Sequence, residues 1–519
     1  MDRSPQQHRA AAQYPGGQLL SSDRSRICLV AAEAAPFAKV GGLGDFTTPL
    51  AQNLSQAGHD VRLFFPFYSS IDRRSLDFGP VDFLQNLEIP MGERQYQFSV
   101  MYTWLSGSSL QVYLVDCPEL FHRSRIYTED RDEVVRFGLL CRAALESCQL
   151  MGWSPEIVHC NDWHTALIPV YLRAFYTWDE LLANAKTVLT LHNVGYQGIF
   201  AASVLQDLGL GDHLSYFDAE DLRADTVNLL KTGLLHADQL TTVSPTHAEE
   251  IQTPEYGMGL DSLLRARSDS LEGILNGVDY GEWNPATDPL IPFNYSAEDL
   301  TGKERNKRAL LQDLSLPYDP QAPVLGVVSR LVHQKGIDLL AGAMPGLLHQ
   351  LDLRLVVLGT GEPRFEALFR SLHRRFPRKV SFYRGYSNEL AHRIEAGSDL
   401  FLMPSLYEPC GLNQMYSLHY GTVPVVRATG GLADSVQPWE SGAGTGTGFL
   451  FEEYSSEALT EVLHKALNTF RDQPAWHQLM LNGMGQDFSW TKQVHEYEAL
   501  YRLMLKRVEG TPSGSQPEL

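Results

Sequence analysis

Cysteine is scarce in this chain: six in 519 residues, at Cys28, Cys117, Cys141, Cys148, Cys160 and Cys410. No two form a C-x-x-C pair or a zinc-like grouping, which excludes a disulfide scaffold and a cysteine-based metal site. They read as reduced core thiols. Long apolar runs are also missing. Nothing approaches the roughly 18 apolar residues of a membrane span, and the opening MDRSPQQHRAAAQYPGGQLLSSDR has no signal-peptide core, so the chain reads as cytoplasmic and without a membrane partner. Positive charge is short as well: 42 Lys and Arg stand against 62 Asp and Glu, a formal charge of −20. That balance argues against broad contact with nucleic acid or an anionic membrane, and leaves a neutral partner or an anion held at one local basic site. A complete G-x-G-x-x-G is absent too. GTGE at 359–362 has no acidic partner ending a second strand, which disfavours an NAD-dependent dehydrogenase.

What is present is glycine, short apolar runs and enough length for two domains. In the first half, RICLVAA (26–32), DVRLFFPF (60–67), LQVYLVD (110–116), EIVHCND (156–162), KTVLTLHN (186–193) and QLTTVSP (239–245) read as strands, with helices at 43–57, 133–150, 164–175 and 220–236. A second series starts with PVLGVVSR (323–330) and continues with strands at 353–359, 380–385, 399–405, 423–431 and 448–451; its helices are predicted at 336–350, 362–374, 387–397, 411–420 and 456–469. Such alternation predicts an α/β protein of two Rossmann-like, doubly wound domains facing a central cleft. The boundaries read as a disordered tail (1–24), a first domain (25–276), a Gly/Pro/Asn-rich connection (277–296), a second domain (297–486), a helix packing back on the first domain (487–508) and a tail (509–519).

The candidate chemistry lies at strand ends. In KVGGLGD (39–45), Gly41 and Gly42 can bring backbone N–H groups to an anion at a helix start, and Lys39 adds a mobile charge; an ordinary tight turn fits as well. In VSRLVHQKG (328–336), Arg330 offers a planar fork and Lys335 a point charge for phosphates. YEPCGLNQMYSLHYGTVPVVRATGGLADSV (407–436) puts Glu408 after a strand, free amides at Gly411 to Asn413, and a second glycine turn at Thr429, Gly430 and Gly431. Glu408 as a helix cap or salt-bridge partner is the plainer alternative. LHNVGYQG (191–198) places His192, and HCNDWHTAL (159–167) places Asp162, at strand ends. The D-x-D at Asp130 and Asp132 lies in the charged run TEDRDE and reads as a solvated helix start, not as a metal site.

KVGGLGD, NDWH, LHNVGYQG, NGVD with EWNPATD, SRLVHQKG and EPCGLNQMYSLHYGTVPVVRATGGLADSV occur in that order over about residues 25–500. In this combination the chain resembles the bacterial glycogen synthases and plant starch synthases. The resemblance implies a GT-B fold and a retaining glucosyltransferase that uses ADP-glucose and an α-1,4-glucan (glycogen), with no metal and no cofactor. It assigns the donor mainly to the second domain and the glucan to the first. By resemblance, Glu408, His192, Lys335, Arg330 and Asp162 are the catalytic set: Arg330 and Lys335 neutralise the diphosphate, Glu408 stabilises an oxocarbenium-like transition state, His192 holds the glucose and Asp162 lines its pocket. Lys39, Gly41, Gly42, Asp45, Asn276, Tyr386, Cys410, Gly411, Leu412, Asn413, Thr429, Gly430 and Gly431 form the expected ADP-glucose contacts, with Tyr386 stacking on adenine. Asn413 stands where many relatives have Thr. UDP-glucose as donor, another glycan acceptor, and an inactive glucan-binding regulator are the alternatives. The echo between the two glycine turns predicts that Gly42 and Gly430 face each other across one sugar nucleotide when the domains close.

Overall fold

The computed structural model describes residues 24–74 and 77–509; the two expected tails lie outside them except at their inner ends. The apolar runs form strands buried on both faces. Arg26–Val30 is buried at every position after its first, as parallel sheets sheathed by helices require. Seven parallel strands cross the first sheet in the order Leu271–Gly273, Gln239–Thr242, Lys186–Leu191, Ile157–Asn161, Arg26–Val30, Asp60–Pro66 and Gln111–Asp116. Arg94–Trp104 pairs antiparallel beyond them and carries Gly79–Pro80 and Leu87–Met91. The second sheet has six parallel strands, Val380–Arg384, Arg354–Gly359, Val324–Val328, Leu400–Met403, Val423–Arg427 and Phe449–Phe451.

The differences from the sequence expectations are local. The helix expected at 164–175 is two, Asp162–Thr165 and Ile168–Phe175, because Pro169 starts a new helix near its first position. The helix expected at 220–236 is broken by Asp225 in the left-handed region and the strand Thr226–Asn228, and resumes as Leu229–His236 with the Asn228 side chain capping Lys231 N–H. The hairpin Leu87–Met91 and Arg94–Trp104 and the helices Thr301–Asp313 and Gln473–Met484 are additional elements. The connection at 277–296 is packed: the Trp283 ring lies between His392 at 3.8 Å and Tyr416 at 4.0 Å.

Helix Trp490–Glu509 returns to the first sheet. Trp490, Val494, Tyr497, Leu500 and Tyr501 enter the core formed by that sheet, and the Tyr501 hydroxyl lies 2.6 Å from His159 Nδ1. The segments that follow the carboxyl ends of strands in the two sheets meet. Ser244 Oγ, beyond Gln239–Thr242, donates to Pro409 O at 2.6 Å, and a methyl group on Gly195, beyond Lys186–Leu191, would sit 3.5 Å from the Tyr407 hydroxyl. Ligand sites in open α/β sheets lie at such ends.

Candidate active site

Glu408 follows strand Leu400–Met403 and is 6% exposed. Its carboxylate accepts from Lys335 Nζ through both oxygens, at 2.8 and 2.6 Å, and from Ser405 Oγ at 3.0 Å. Gly336 makes the pairing possible. Its φ is +68°, and a Cβ there would stand 1.8 Å from Pro404 O, so only glycine lets the Lys335 backbone lie against the strand end. A charge this buried needs such a partner, since an uncompensated carboxylate costs several kcal/mol.

Beside the pair lies a cavity of about 180 Å³ lined by Ser329, Lys335, Ser405, Glu408 and Gly411 to Asn413, with an apolar floor from Val327 and Leu402. The amides of Gly411, Leu412 and Asn413, residues of its wall, have no acceptor among the described residues. Asn413 Nδ2 donates to Val328 O at 2.9 Å, tying the turn to strand Val324–Val328. Arg330, exposed at the end of that strand, has no ion-pair or hydrogen-bond partner for its guanidinium among the described residues. Arg330 is absent from the cavity wall, which ends at Ser329; with Lys335 neutralised by Glu408, the donors left to an anion in the cavity are the three amides, and Arg330 is a free cation one residue beyond its wall. Tyr386, just beyond Val380–Arg384, is 79% exposed. Cys410 and Asn276 are buried at 5% and 6% and are absent from the cavity wall; burial pushes the Cys410 thiol up to about 12.

The first domain contributes a buried, hydrogen-bonded corner. Asp162 has φ +52°, and Asp162 Oδ1 accepts the backbone N–H of His192 at 2.8 Å. Burial pushes its carboxyl up to about 7, against the pull of the His192 and Asn193 amides. The His192 ring is half-buried, lies edge-on to Phe46 at 4.5 Å, and has Nε2 3.0 Å from Asn161 Oδ1; burial brings it down to about 3, so it is uncharged at neutral pH. Lys39 pairs with Asp45 at 2.6 Å. Partial burial lowers the Lys39 ammonium, but the charge and hydrogen bond of Asp45, together with Tyr386 and Glu282, leave it raised.

The two glycine turns differ. At the first, Glu33 Oε2 accepts Val40 N–H at 2.7 Å and Gly41 N–H at 3.0 Å, and Glu33 Oε1 accepts the Tyr127 hydroxyl at 2.5 Å. Of the two donors assigned to an anion, Gly41 N–H is thus held by a carboxylate of the same domain. A Cβ on Gly41 or Gly42 would meet nothing within 4 Å, so packing alone does not explain glycine there. At the second turn packing explains it fully: Gly430 has φ +44°, and a Cβ would lie 2.0 Å from Glu408 O. Its N–H, with the Thr429 hydroxyl, donates to Glu250 Oε1 from the first domain at 3.0 and 2.7 Å. Gly431 N–H goes to Glu408 O and Pro409 O. Thr429, Gly430 and Gly431 therefore have no donor left for a phosphate in this structure, contrary to the sequence expectation, and Gly430 packs on the Glu408 backbone. The D-x-D is also occupied, since Arg123 pairs with both Asp130 and Asp132.

Ser405, Ser244, Asn161, Glu33 and Glu250 complete this architecture, and none was a sequence candidate. Ser405 could have been found from its place three residues before Glu408, and Asn161 from its place before Asp162; the others are brought in by tertiary contact alone.

Residues 26–266 match the family model described as the starch synthase catalytic domain, and residues 314–476 that of glycosyl transferases group 1. A glycogen synthase of Anaeromyxobacter sp. (strain Fw109-5) is 46% identical over 92% of this chain and 98% of its own. Glycogen synthase 1 of Geobacter sulfurreducens is 45% identical over 93% and 97%. The catalytic domain of starch synthase IV from Arabidopsis thaliana, bound to ADP and acarbose, superposes with a TM-score of 0.86 at 35% identity, covering 93% of this chain and all of that one. Two parallel α/β sheets joined at their carboxyl ends, with these relatives along nearly the whole chain, make this protein a GT-B glycosyltransferase of the glycogen and starch synthase family.

Proposed function

We propose that this enzyme transfers glucose from ADP-glucose to the non-reducing end of an α-1,4-glucan, with retention of anomeric configuration. The observation that carries the reading is the Glu408–Lys335 pair at a cavity whose wall includes the turn Gly411 to Asn413, with three amides that have no acceptor among the described residues; Arg330, at the end of strand Val324–Val328, is free to join it. Such a cradle suits a diphosphate leaving group. The ADP of the Arabidopsis starch synthase IV structure supports the choice of nucleotide.

On this reading the bond from the anomeric carbon to the phosphate oxygen breaks and its electron pair leaves with ADP, drawn toward Arg330, Lys335 and the amides of Gly411 to Asn413. Glu408 stabilises the positive charge that develops on the sugar ring. The acceptor hydroxyl oxygen bonds to the same face of the anomeric carbon, and its proton passes to the departing diphosphate. His192 and Asp162 position the glucose from the first domain. Lys39, Gly41 and Gly42 close over the phosphates, which requires Glu33 to release the two amides it holds. Tyr386, exposed at the rim, stacks on the base.

Incubation with labelled ADP-glucose or UDP-glucose and glycogen tests the reading. Label entering glycogen from ADP-glucose, released by an α-1,4-specific glucosidase, is expected. Transfer from UDP-glucose alone overturns the donor assignment, and transfer from neither overturns the reaction.

A further inference from the structure

We infer that Asn161 is a positioning residue that sets the tautomer of His192, so that this ring meets the donor sugar as a hydrogen-bond acceptor at Nδ1. The inference rests on the proposed role of His192 at the glucose. Asn161 is fully buried at the end of strand Ile157–Asn161. Its Nδ2 lies 3.0 Å from Val30 O, on the neighbouring strand, and its Oδ1 lies 3.0 Å from His192 Nε2. A backbone carbonyl only accepts, so the amide nitrogen must be the atom facing Val30, which leaves the amide oxygen facing the ring. That oxygen also only accepts. His192 Nε2 must then carry the proton.

Burial keeps the imidazole neutral at working pH, so with Nε2 protonated the other nitrogen is a bare lone pair. Nδ1 has no partner among the described residues. The ring cannot rotate freely to exchange its nitrogens: Phe46 stands edge-on at 4.5 Å, and the adjoining backbone N–H is fixed by Asp162 Oδ1. A sugar hydroxyl at this corner must therefore donate its hydrogen to Nδ1.

Ring ¹⁵N–¹H correlation spectra of the native enzyme, with His192 assigned by the peak lost in His192→Gln, read the tautomer without substrate. The Nε2–H form is expected. In Asn161→Leu the oxygen is gone, a fraction of the Nδ1–H form should appear beside Nε2–H, and kcat should fall roughly 10-fold, the lower end of the range for losing an outer-shell partner of a metal-bound histidine, while ADP affinity by calorimetry and near-ultraviolet dichroism stay native. A native enzyme in the Nδ1–H form overturns the inference without reference to any variant. So does a folded Asn161→Leu enzyme with unchanged tautomer and kcat. A native Nε2–H spectrum in an enzyme that transfers glucose from neither donor supports the tautomer assignment and overturns the proposed function.

Discussion

Replacing Asp162 with Asn removes one proton-binding group and little else. The left-handed φ of +52° suits Asn, and the amide oxygen can still accept the His192 N–H now held at 2.8 Å. Burial pushes the native carboxyl from 3.8 up to about 7. A raised folded pKa means the native state holds its proton while the unfolded state loses it. The stabilisation is fully present below about pH 4, is lost progressively as pH rises to about 7, and is constant above that. At 1.36 kcal/mol per unit, the shift corresponds to a loss on the order of 4 kcal/mol across that window. The side-chain amide of the variant has no proton to lose, so Asp162→Asn should gain on the native enzyme by about 2 to 3 kcal/mol between pH 5 and pH 7, and by nothing further to pH 8. Urea unfolding followed by both dichroism and tryptophan fluorescence measures the difference, provided the two traces coincide. A stability difference that stays flat from pH 5 to pH 8 would refute the reasoning, because the amides of His192 and Asn193 would then be holding the carboxylate ionised against its burial.

Three further outcomes follow from the geometry. Lys335→Met strands a carboxylate whose side chain is 7% exposed; it should cost about 3 to 5 kcal/mol and abolish transfer, and adding Glu408→Gln should restore the melt but not the activity. An unchanged melt for the single variant would count against a buried pair. Gly430→Ala forces a Cβ to within 2.0 Å of Glu408 O and should cut kcat at least about tenfold by displacing a charge-stabilising group, whereas Gly42→Ala, with open space around it, should leave the melting temperature alone and raise the donor KM; equal effects on stability would contradict the distinction. Glu250→Ala deletes the acceptor that the first domain offers to Thr429 and Gly430, so X-ray scattering should report a larger radius of gyration, and an unchanged radius would show that the contact does not hold the domains together.

Much of this was legible in the sequence because the strand ends were. A continuous apolar run that stops at a polar residue before a helix fixes both the sheet and its carboxyl edge, which is how Glu408, Lys335, Arg330, His192 and Asp162 were found. Gly411 to Asn413 were readable for the same reason: the turn before a helix leaves amides unpaired. The hairpin around Gly92 was missed although its burial alternates along Arg94–Trp104, a period-two signal weaker than the buried parallel runs. Helix Thr301–Asp313 was missed because its residues are mostly polar or charged; its buried face includes Lys303 and Lys307, held by Thr422 and Asp399 at 2.7 and 2.9 Å. Partners brought from distant sequence were the invisible class: nothing local to Glu250 indicates that it meets Gly430, 180 residues away.

The two Gly-Gly-Leu-x-Asp turns show why a motif alone does not assign a role. Both begin a helix after a strand, and both have amides accepted by a glutamate. They part on what glycine is for. At Gly430 a side chain is excluded by the protein's own backbone, and the backbone it presses on belongs to Glu408; the turn is a seat for the central carboxylate, clamped by Glu250 across the domain junction. At Gly41 and Gly42 a side chain would meet only open space, so any requirement for glycine must come from something outside the ligand-free protein approaching closely. Glu33 then has the character of a placeholder. It accepts the Val40 and Gly41 amides while its other oxygen accepts the Tyr127 hydroxyl, so on the proposed function a phosphate that took the Gly41 amide would also disturb the Glu33–Tyr127 contact.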